Sequence, residues 1–135
     1  PLLPSLPGSQ RVQRSCFPCS RDSTVRKGVR AEALRVSDAF VVRYDAARQA
    51  GLPVHADDSH LSLTIALNEL SEYEGGGTSF EEVGVTVRPE RGCAVAFPGS
   101  LRHGGQCITL GVRYIIAAFL FVDGGWEEPS YWHIS

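Results

Sequence analysis

Hydrophobic and polar residues alternate over much of the chain from residue 38 onward, a pattern typical of β-strands. In LSLTIAL (61–67), leucine and isoleucine occupy every second position, with Ser62, Thr64 and Ala66 between them. Four further segments are rich in β-branched and aromatic residues and are separated by turns containing Gly, Pro or Glu: 39–44, 78–87, 92–99 and 111–122. Several short strands at close spacing predict a mainly all-β fold, a sandwich or jelly roll rather than a parallel α/β sheet.

The chain length predicts one domain, because 135 residues with 43% hydrophobic side chains suffice for one core. Residues 1–30 mix Pro, Ser and Arg without a sustained period, which predicts a loosely ordered basic arm or truncated lead-in. A short N-terminal helical segment is expected across residues 24–35, where Ala31, Ala33 and Leu34 are available to pack. The core is predicted at 31–123 and a C-terminal tail at 124–135.

Charge is unevenly distributed, with a net of +5 over residues 1–48 and −7 over residues 49–135. The acidic part disfavours a nucleic-acid partner, because phosphate binding needs positive charge. The longest apolar stretch, 112–122, is interrupted by Arg113 and is shorter than the ~20 residues of a membrane span. The chain has no Met and begins with Pro, so we expect a fragment or processed product. Endoplasmic reticulum and cytoplasm both stay open as its location.

Candidate chemistry concentrates at His55, Asp57 and His103. Residues two apart in an extended segment point to the same face, so His55 and Asp57 project together. His103 follows the strand GCAVAF and is a candidate third ligand. Two imidazoles and one carboxylate form the facial triad of non-haem Fe(II) oxygenases, which leaves other coordination positions open. A His and an Asp exposed on loops by chance are the alternative interpretation of the same residues.

The sequence around these residues resembles the catalytic core of the 2-oxoglutarate- and Fe(II)-dependent dioxygenases. The segments HADDSHLSLTIALNE, YEGGGTSF and PERGCAVAFPGSLRHGGQCITLGVRYIIAAFLF match, in order, the motifs of the prolyl 4-hydroxylase and lysyl hydroxylase group. The match extends from residue 55 to residue 122, about half of the chain. The resemblance implies a double-stranded β-helix in which His55, Asp57 and His103 are the iron ligands.

The resemblance also implies the co-substrates and the substrate. Arg113, ten residues after His103, stands where this group places the basic residue that binds the distal carboxylate of 2-oxoglutarate. Tyr44 and Thr64 are further candidates for contacts to the same co-substrate. Fe(II), 2-oxoglutarate and O₂ would be required, with L-ascorbate keeping the iron reduced. The expected reaction hydroxylates a prolyl or lysyl side chain of a peptide or protein and releases succinate and CO₂.

Strand parity gives Arg113 an independent rationale. Its neighbours on the same face of the strand are Ile115, Ala117, Phe119 and Phe121. A guanidinium buried among apolar side chains without an anion is costly, and arginine is suited to binding a carboxylate with two hydrogen bonds. The alternative is a structural ion pair with a nearby glutamate.

The remaining polar motifs have weaker functional interpretations. Gly75, Gly76 and Gly77 indicate turn geometry, since no GK[ST] of a phosphate loop follows. Cys16 and Cys19 form a single CxxC, for which a structural or incidental role is expected. Asp58 and His60 are expected to lie outside the ligand set or at the surface. No partner is identified for His133, and none of the three residues is assigned a catalytic role.

Other functions are compatible with the same residues. A catalytically silent jelly-roll binding module would be marked by a lost ligand, and none of the three is missing. A zinc hydrolase with the same ligands, or a related oxygenase acting on a non-peptide substrate, also stays open. Metal analysis combined with a 2-oxoglutarate turnover assay separates these classes.

Overall fold

The computed structural model describes residues 30–124, and nearly all of its regular structure is strand. Within this range the only helical elements are two 3-10 turns, Ala31–Ala33 and Leu70–Glu72. Nine strands complete the fold, in this order: β1 Leu34–Asp45, β2 Leu52–His55, β3 Leu61–Ala66, β4 Tyr73–Gly75, β5 Thr78–Phe80, β6 Val85–Val87, β7 Ala94–Pro98, β8 His103–Gly105 and β9 Ile108–Val122. The prediction of a mainly all-β chain is confirmed.

The strands form two antiparallel sheets. The major sheet has the order β1-β9-β3-β7, with β4 paired to β9, and the minor sheet has the order β2-β8-β5-β6. Strands distant in sequence are neighbours in both sheets, as in a jelly roll. Side chains from the two sheets line one shared cavity, in which the candidate site lies.

The long strand β9 organises the major sheet, because β1, β3 and β4 all pair with it. Its register with β1 places Tyr44 opposite Arg113. Its register with β3 places Thr64 opposite Ala117. Residues that are far apart in sequence therefore share one face of the sheet.

The helix predicted at residues 24–35 is wrong at its C-terminal end. Residues 24–29 lie outside the described range, and only Ala31–Ala33 form a 3-10 turn. Leu34 and Arg35 belong to β1, where they pair with Val122 and Phe121 of β9. Backbone pairing with a neighbouring strand outweighs the weak helix propensity of so short a segment.

Most buried polar residues lie at the site. The apolar core cluster consists of Tyr44, Tyr73, Ile108 and Ile115. In the part of the chain that the structure describes, four polar or charged residues are buried as well: Ser62, Thr78, His103 and Arg113. Buried polar groups are costly unless they find partners, so these positions are where a function is expected.

Among residues 30–124, no helix has the length and apolar character needed to cross a membrane. The lead-in before residue 30, with Cys16 and Cys19, and the tail from residue 125, with His133, fall outside the described range. The domain boundaries around them stay predictions.

Candidate metal centre and anion pocket

His55 and His103 face each other across the antiparallel pair formed by β2 and β8. Their Cα atoms are register partners, and their ring centroids are 4.6 Å apart. The Nδ1 atom of His55 lies 2.8 Å from the carbonyl oxygen of Pro53. The Nδ1 atom of His103 lies 2.8 Å from the carbonyl oxygen of Leu101. Because a carbonyl only accepts, each Nδ1 carries a hydrogen, and in the neutral imidazole it is then Nε2 that has the lone pair a metal needs.

Asp57 completes the cluster from the segment that follows β2. Its Oδ1 is 3.3 Å from His55 Nε2, and its Oδ2 is 3.3 Å from His103 Nε2. The backbone N–H of Asp57 donates to the carbonyl of Gly99 at 2.8 Å, which ties this segment to the end of β7. One ligand atom from each of the three residues lies within 4.8 Å of the others.

The geometry of this cluster fits a divalent cation. The two Nε2 lone pairs and the carboxylate converge on one point, and electron-pair donors at this separation repel each other unless a proton or metal lies between them. Two imidazoles and one carboxylate are the donor set of the facial triad. The side chains of Asp57 and His103 are each 8% exposed, whereas that of His55 is 36% exposed, so the cluster is open on the His55 side.

The ring of His103 has an aromatic wall. It packs against Phe97 at 4.4 Å between ring centroids, and Phe80 lies 6.4 Å away. Phe80 is the register partner of His103 in β5, so the minor sheet itself supplies part of the wall. These contacts fix the ring plane and keep water from that side of the cluster.

Arg113 is buried to 2% exposure on the major sheet. Its Nη1 donates to the carbonyl of Gly77 at 3.1 Å, while Nε and Nη2 have no hydrogen-bond partner among the described residues. Burial lowers the pKa of Arg113, and the neighbouring Tyr73 and Tyr44 oppose that shift. An anion that accepts hydrogen bonds from both Nε and Nη2 would strongly stabilise the buried cation. Within residues 30–124, no glutamate forms an ion pair with Arg113, so the partner considered from the sequence is not found there.

The glycine turn at residues 75–77 builds the wall around Arg113. All three glycines have positive φ, +75°, +70° and +115°, so the interpretation as turn geometry is confirmed. A Cβ on Gly76 would lie 2.8 Å from Ile108 Cγ2 and 3.3 Å from Arg113 Cδ. The turn therefore combines a backbone conformation and a close approach that only glycine satisfies, and it supplies the carbonyl that binds Arg113.

The cavity between the sheets has a volume of about 110 Å³ and a mostly apolar lining. His55, Asp57 and His103 line it from the minor-sheet side, and Tyr44 and Thr64 line it from the major sheet. The Oγ1 atom of Thr64 is buried and has no hydrogen-bond partner among the described residues. Arg113 contacts this cavity through Tyr44, whose ring centroid lies 5.4 Å from the guanidinium carbon.

Tyr44 lies at the cavity, whereas His60 lies away from the cluster. Tyr44 is 3% exposed, and burial raises its pKa while Arg113 opposes the shift. A Cβ on Gly105 would lie 2.6 Å from the Tyr44 hydroxyl, so this glycine leaves room for the ring. His60 packs on Phe121 and accepts the Val122 N–H at 3.0 Å, a structural position outside the cluster.

Ser62 is a residue that the sequence analysis did not single out. It is 2% exposed, and its hydroxyl donates to Asp57 Oδ2 at 2.5 Å. Ser62 and Thr64 lie on the same, more polar face of the strand LSLTIAL. That alternation was the only feature of the sequence that pointed to Ser62. A serine on a strand carries no further mark, because its contact with Asp57 depends on the fold.

Comparison with known proteins adds sequence relatives. The chain matches no protein-family model. It is 44% identical over 86 residues to procollagen-lysine,2-oxoglutarate 5-dioxygenase 1 of Rattus norvegicus, a match that covers 61% of this chain and 12% of the rat protein. A multifunctional procollagen lysine hydroxylase and glycosyltransferase of Caenorhabditis elegans is 44% identical over 85 residues, covering 60% of this chain and 12% of that protein. The chain thus spans about 12% of the length of the curated relatives it matches.

A solved structure gives the fold. The viral collagen prolyl hydroxylase from Paramecium bursaria Chlorella virus-1, in complex with 2OG, matches with a TM-score of 0.53 at 18% identity, covering 64% of this chain and 59% of that chain. The double-stranded β-helix expected from the sequence is confirmed. The resemblance to 2-oxoglutarate-dependent dioxygenases is confirmed as well. By sequence, the similarity within that class is to procollagen lysine hydroxylases, and the viral prolyl hydroxylase shares the fold.

Proposed function

We propose that this chain is the catalytic core of an Fe(II)- and 2-oxoglutarate-dependent dioxygenase that hydroxylates a prolyl or lysyl side chain in a peptide or protein. One observation carries the proposal. The Nε2 atoms of His55 and His103 and the carboxylate of Asp57 converge, and both imidazoles are fixed by backbone carbonyls in the tautomer that binds metal.

In this proposal the triad holds Fe(II) and leaves coordination positions for 2-oxoglutarate and O₂. When bound, the metal couples decarboxylation of 2-oxoglutarate, to succinate and CO₂, with hydroxylation of an unactivated C–H bond. The chain's own contribution is to fix the ligands and to keep the surroundings apolar. Phe80 and Phe97 provide the apolar surroundings on the His103 side. Ascorbate as the reductant that maintains Fe(II) is part of the proposal.

Arg113 is proposed to bind the distal carboxylate of 2-oxoglutarate. Its Nε and Nη2 atoms are buried and have no partner within the described range, and they form the edge of the guanidinium that binds a carboxylate with two parallel hydrogen bonds. Thr64 offers a third unused buried polar atom, and Tyr44 packs beside the guanidinium. We propose that both contribute to the same co-substrate pocket.

The substrate class is proposed from the relatives and the cavity. The sequence relatives are named as procollagen lysine hydroxylases, and the structural neighbour is named as a collagen prolyl hydroxylase. The cavity lining includes Phe40, Leu52 and Phe119, an apolar environment suited to the methylene groups of a prolyl or lysyl side chain. The negative net charge of residues 49–135 argues against a nucleic-acid substrate.

The test is turnover by the purified protein supplied with Fe(II), 2-oxoglutarate and ascorbate. We expect succinate release to rise when Pro- or Lys-containing peptides are added, with a peptide mass increase of one oxygen atom. Oligonucleotides serve as the matched comparison and are expected to have no effect. Stimulation by oligonucleotides alone would move the protein to the nucleic-acid branch, and metal binding without any turnover would favour a silent binding module.

A further inference from the structure

The carboxylate of Asp57 accepts a hydrogen bond from the hydroxyl of Ser62, which is itself in contact with the hydroxyl of Ser59. Ser62 donates to Asp57 Oδ2 at 2.5 Å, and the hydroxyl oxygens of Ser59 and Ser62 are 3.1 Å apart. A carboxylate only accepts, so the single hydroxyl hydrogen of Ser62 goes to Asp57. Ser59 must then be the donor to Ser62, which gives the contacts one direction, from Ser59 through Ser62 to Asp57.

The surroundings of Ser62 make this arrangement specific. Ser62 is 2% exposed, and its register partners are Phe97 of β7 and Phe119 of β9. A hydroxyl between two phenylalanines would be costly without a partner. The Asp57 carboxylate, supported by Ser59, satisfies it.

The main chain of Asp57 is fixed independently of this contact. Its N–H donates to the carbonyl of Gly99 at 2.8 Å. At Gly99 a Cβ would lie 2.2 Å from the carbonyl oxygen of Ser59, so the two segments are in close contact. With the backbone fixed, the freedom that Ser62 removes is the rotation of the carboxylate itself.

We propose that Ser62 is a positioning residue for the metal centre: its hydroxyl fixes the Asp57 carboxylate so that Oδ1 stays turned toward His55 Nε2 and available to the metal. The proposal rests on the proposed function, since it concerns a metal bound by the triad. Each carboxylate oxygen lies 3.3 Å from one Nε2 atom, Oδ1 from that of His55 and Oδ2 from that of His103, and the short Ser62 contact engages Oδ2 and leaves Oδ1 without it. Removing a group that orients a metal ligand typically lowers metal affinity or activity by roughly 10- to 100-fold.

The test is a Co(II) titration, without 2-oxoglutarate or substrate, that gives the dissociation constant and the visible absorption of the bound ion. We expect Ser62→Ala to weaken Co(II) binding by roughly 10-fold or more and to alter the spectrum. Ser79→Ala is the matched control, because the Ser79 hydroxyl lies 3.3 Å from the carbonyl oxygen of Gly104 and does not contact Asp57. We expect this control to bind Co(II) like the wild type.

A second pair of variants separates positioning from packing. Ser62→Thr keeps the hydroxyl and Ser62→Val has nearly the same shape without it, so both introduce the same crowding. We expect the Thr variant to bind Co(II) at least several-fold more tightly than the Val variant. Equal dissociation constants for the two would overturn the positioning role. A wild-type protein that binds no Co(II) would instead overturn the proposed function, and the inference with it.

Discussion

Tyr44 and Arg113 are register partners across β1 and β9, and the guanidinium carbon of Arg113 lies 5.4 Å from the centre of the Tyr44 ring. The pair joins the cavity, which Tyr44 lines, to a buried cation that has two donors without a partner among residues 30–124. The aromatic ring can stabilise the cation by about 0.5–2 kcal/mol, which is less than the cost of burying an unpaired charge. An anionic ligand would therefore stabilise the pair, in agreement with the co-substrate site proposed for it.

The first prediction concerns Arg113. Arg113→Ala should raise the KM for 2-oxoglutarate on the order of thirty-fold or more, because truncating one member of a buried charge pair costs about 2–5 kcal/mol. Arg113→Lys should recover part of the loss, since a point charge replaces the two-pronged guanidinium. Steady-state succinate release measures the effect.

Arg91, an exposed residue paired with Glu69, offers a control for that measurement. Arg91→Ala should leave the KM unchanged. Co(II) affinity should be retained in Arg113→Ala, because Arg113 is not one of the three ligands. A KM for 2-oxoglutarate unaffected by Arg113→Ala would show that Arg113 is purely structural.

The second prediction concerns the glycine turn. Gly76→Ala should destabilise the protein and weaken 2-oxoglutarate binding, because the new Cβ would meet Ile108 and crowd the Arg113 side chain. Gly84→Ala is the matched control. Gly84 has φ +62°, close to the +70° of Gly76, but its Cβ would meet no atom within 4 Å. Both variants have the strain of the left-handed region, about 1 kcal/mol, and only Gly76→Ala disturbs the pocket.

Thermal unfolding and the KM for 2-oxoglutarate distinguish the two glycine variants. Gly84→Ala should lower stability modestly and leave the KM unchanged. Gly76→Ala should lower stability further and raise the KM. Equal effects of the two substitutions on the KM would mean that the turn does not position Arg113.

The third prediction is that Thr64→Val makes the protein more stable and weakens its binding of 2-oxoglutarate. Thr64→Val keeps the shape of the side chain and removes a buried hydroxyl that has no partner in the described structure. We expect the free energy of unfolding to rise by up to about 1 kcal/mol, because the desolvation of that hydroxyl is avoided. If Thr64 binds the co-substrate, the KM for 2-oxoglutarate should rise about 2- to 10-fold. Higher stability with an unchanged KM would remove Thr64 from the pocket.

Sequence reasoning anticipated the long strands better than the short ones. The alternation in LSLTIAL corresponds to β3, and the apolar run at 111–122 lies within β9. β2, β4 and β8 were not predicted, because three or four residues such as LPVH or HGG carry too little periodicity. The segment 78–87, predicted as a strand, is a hairpin of β5 and β6 whose turn includes Gly84 at positive φ.

The candidate site was only partly visible in the sequence. The spacing of His55 and Asp57 indicated a shared face, but His103 depended on the family resemblance, because its position opposite His55 follows from the β2–β8 register. The burial of Arg113, with two donors that no described residue accepts from, agrees with its strand parity. The contact of Ser62 with Asp57 depends on how the segment after β2 lies against β3, and no local pattern encodes that.

The last prediction concerns the triad itself. The wild-type protein should bind one Fe(II), with Mn(II) or Co(II) as substitutes, and His55→Ala/His103→Ala should reduce that binding to background. Asp57→Ala should abolish turnover and leave the fold largely intact, because the relieved crowding against the two Nε2 atoms offsets part of the cost of removing the acceptor of the buried Ser62 hydroxyl. Metal analysis after desalting measures the binding, succinate release measures the turnover, and circular dichroism measures the fold. His60→Ala is a control at a histidine outside the cluster and should keep the metal, at some cost in stability from the lost bond to the Val122 N–H. Equal iron content in the wild type and the double variant would show that the metal binds elsewhere, and the proposed ligand set would be wrong.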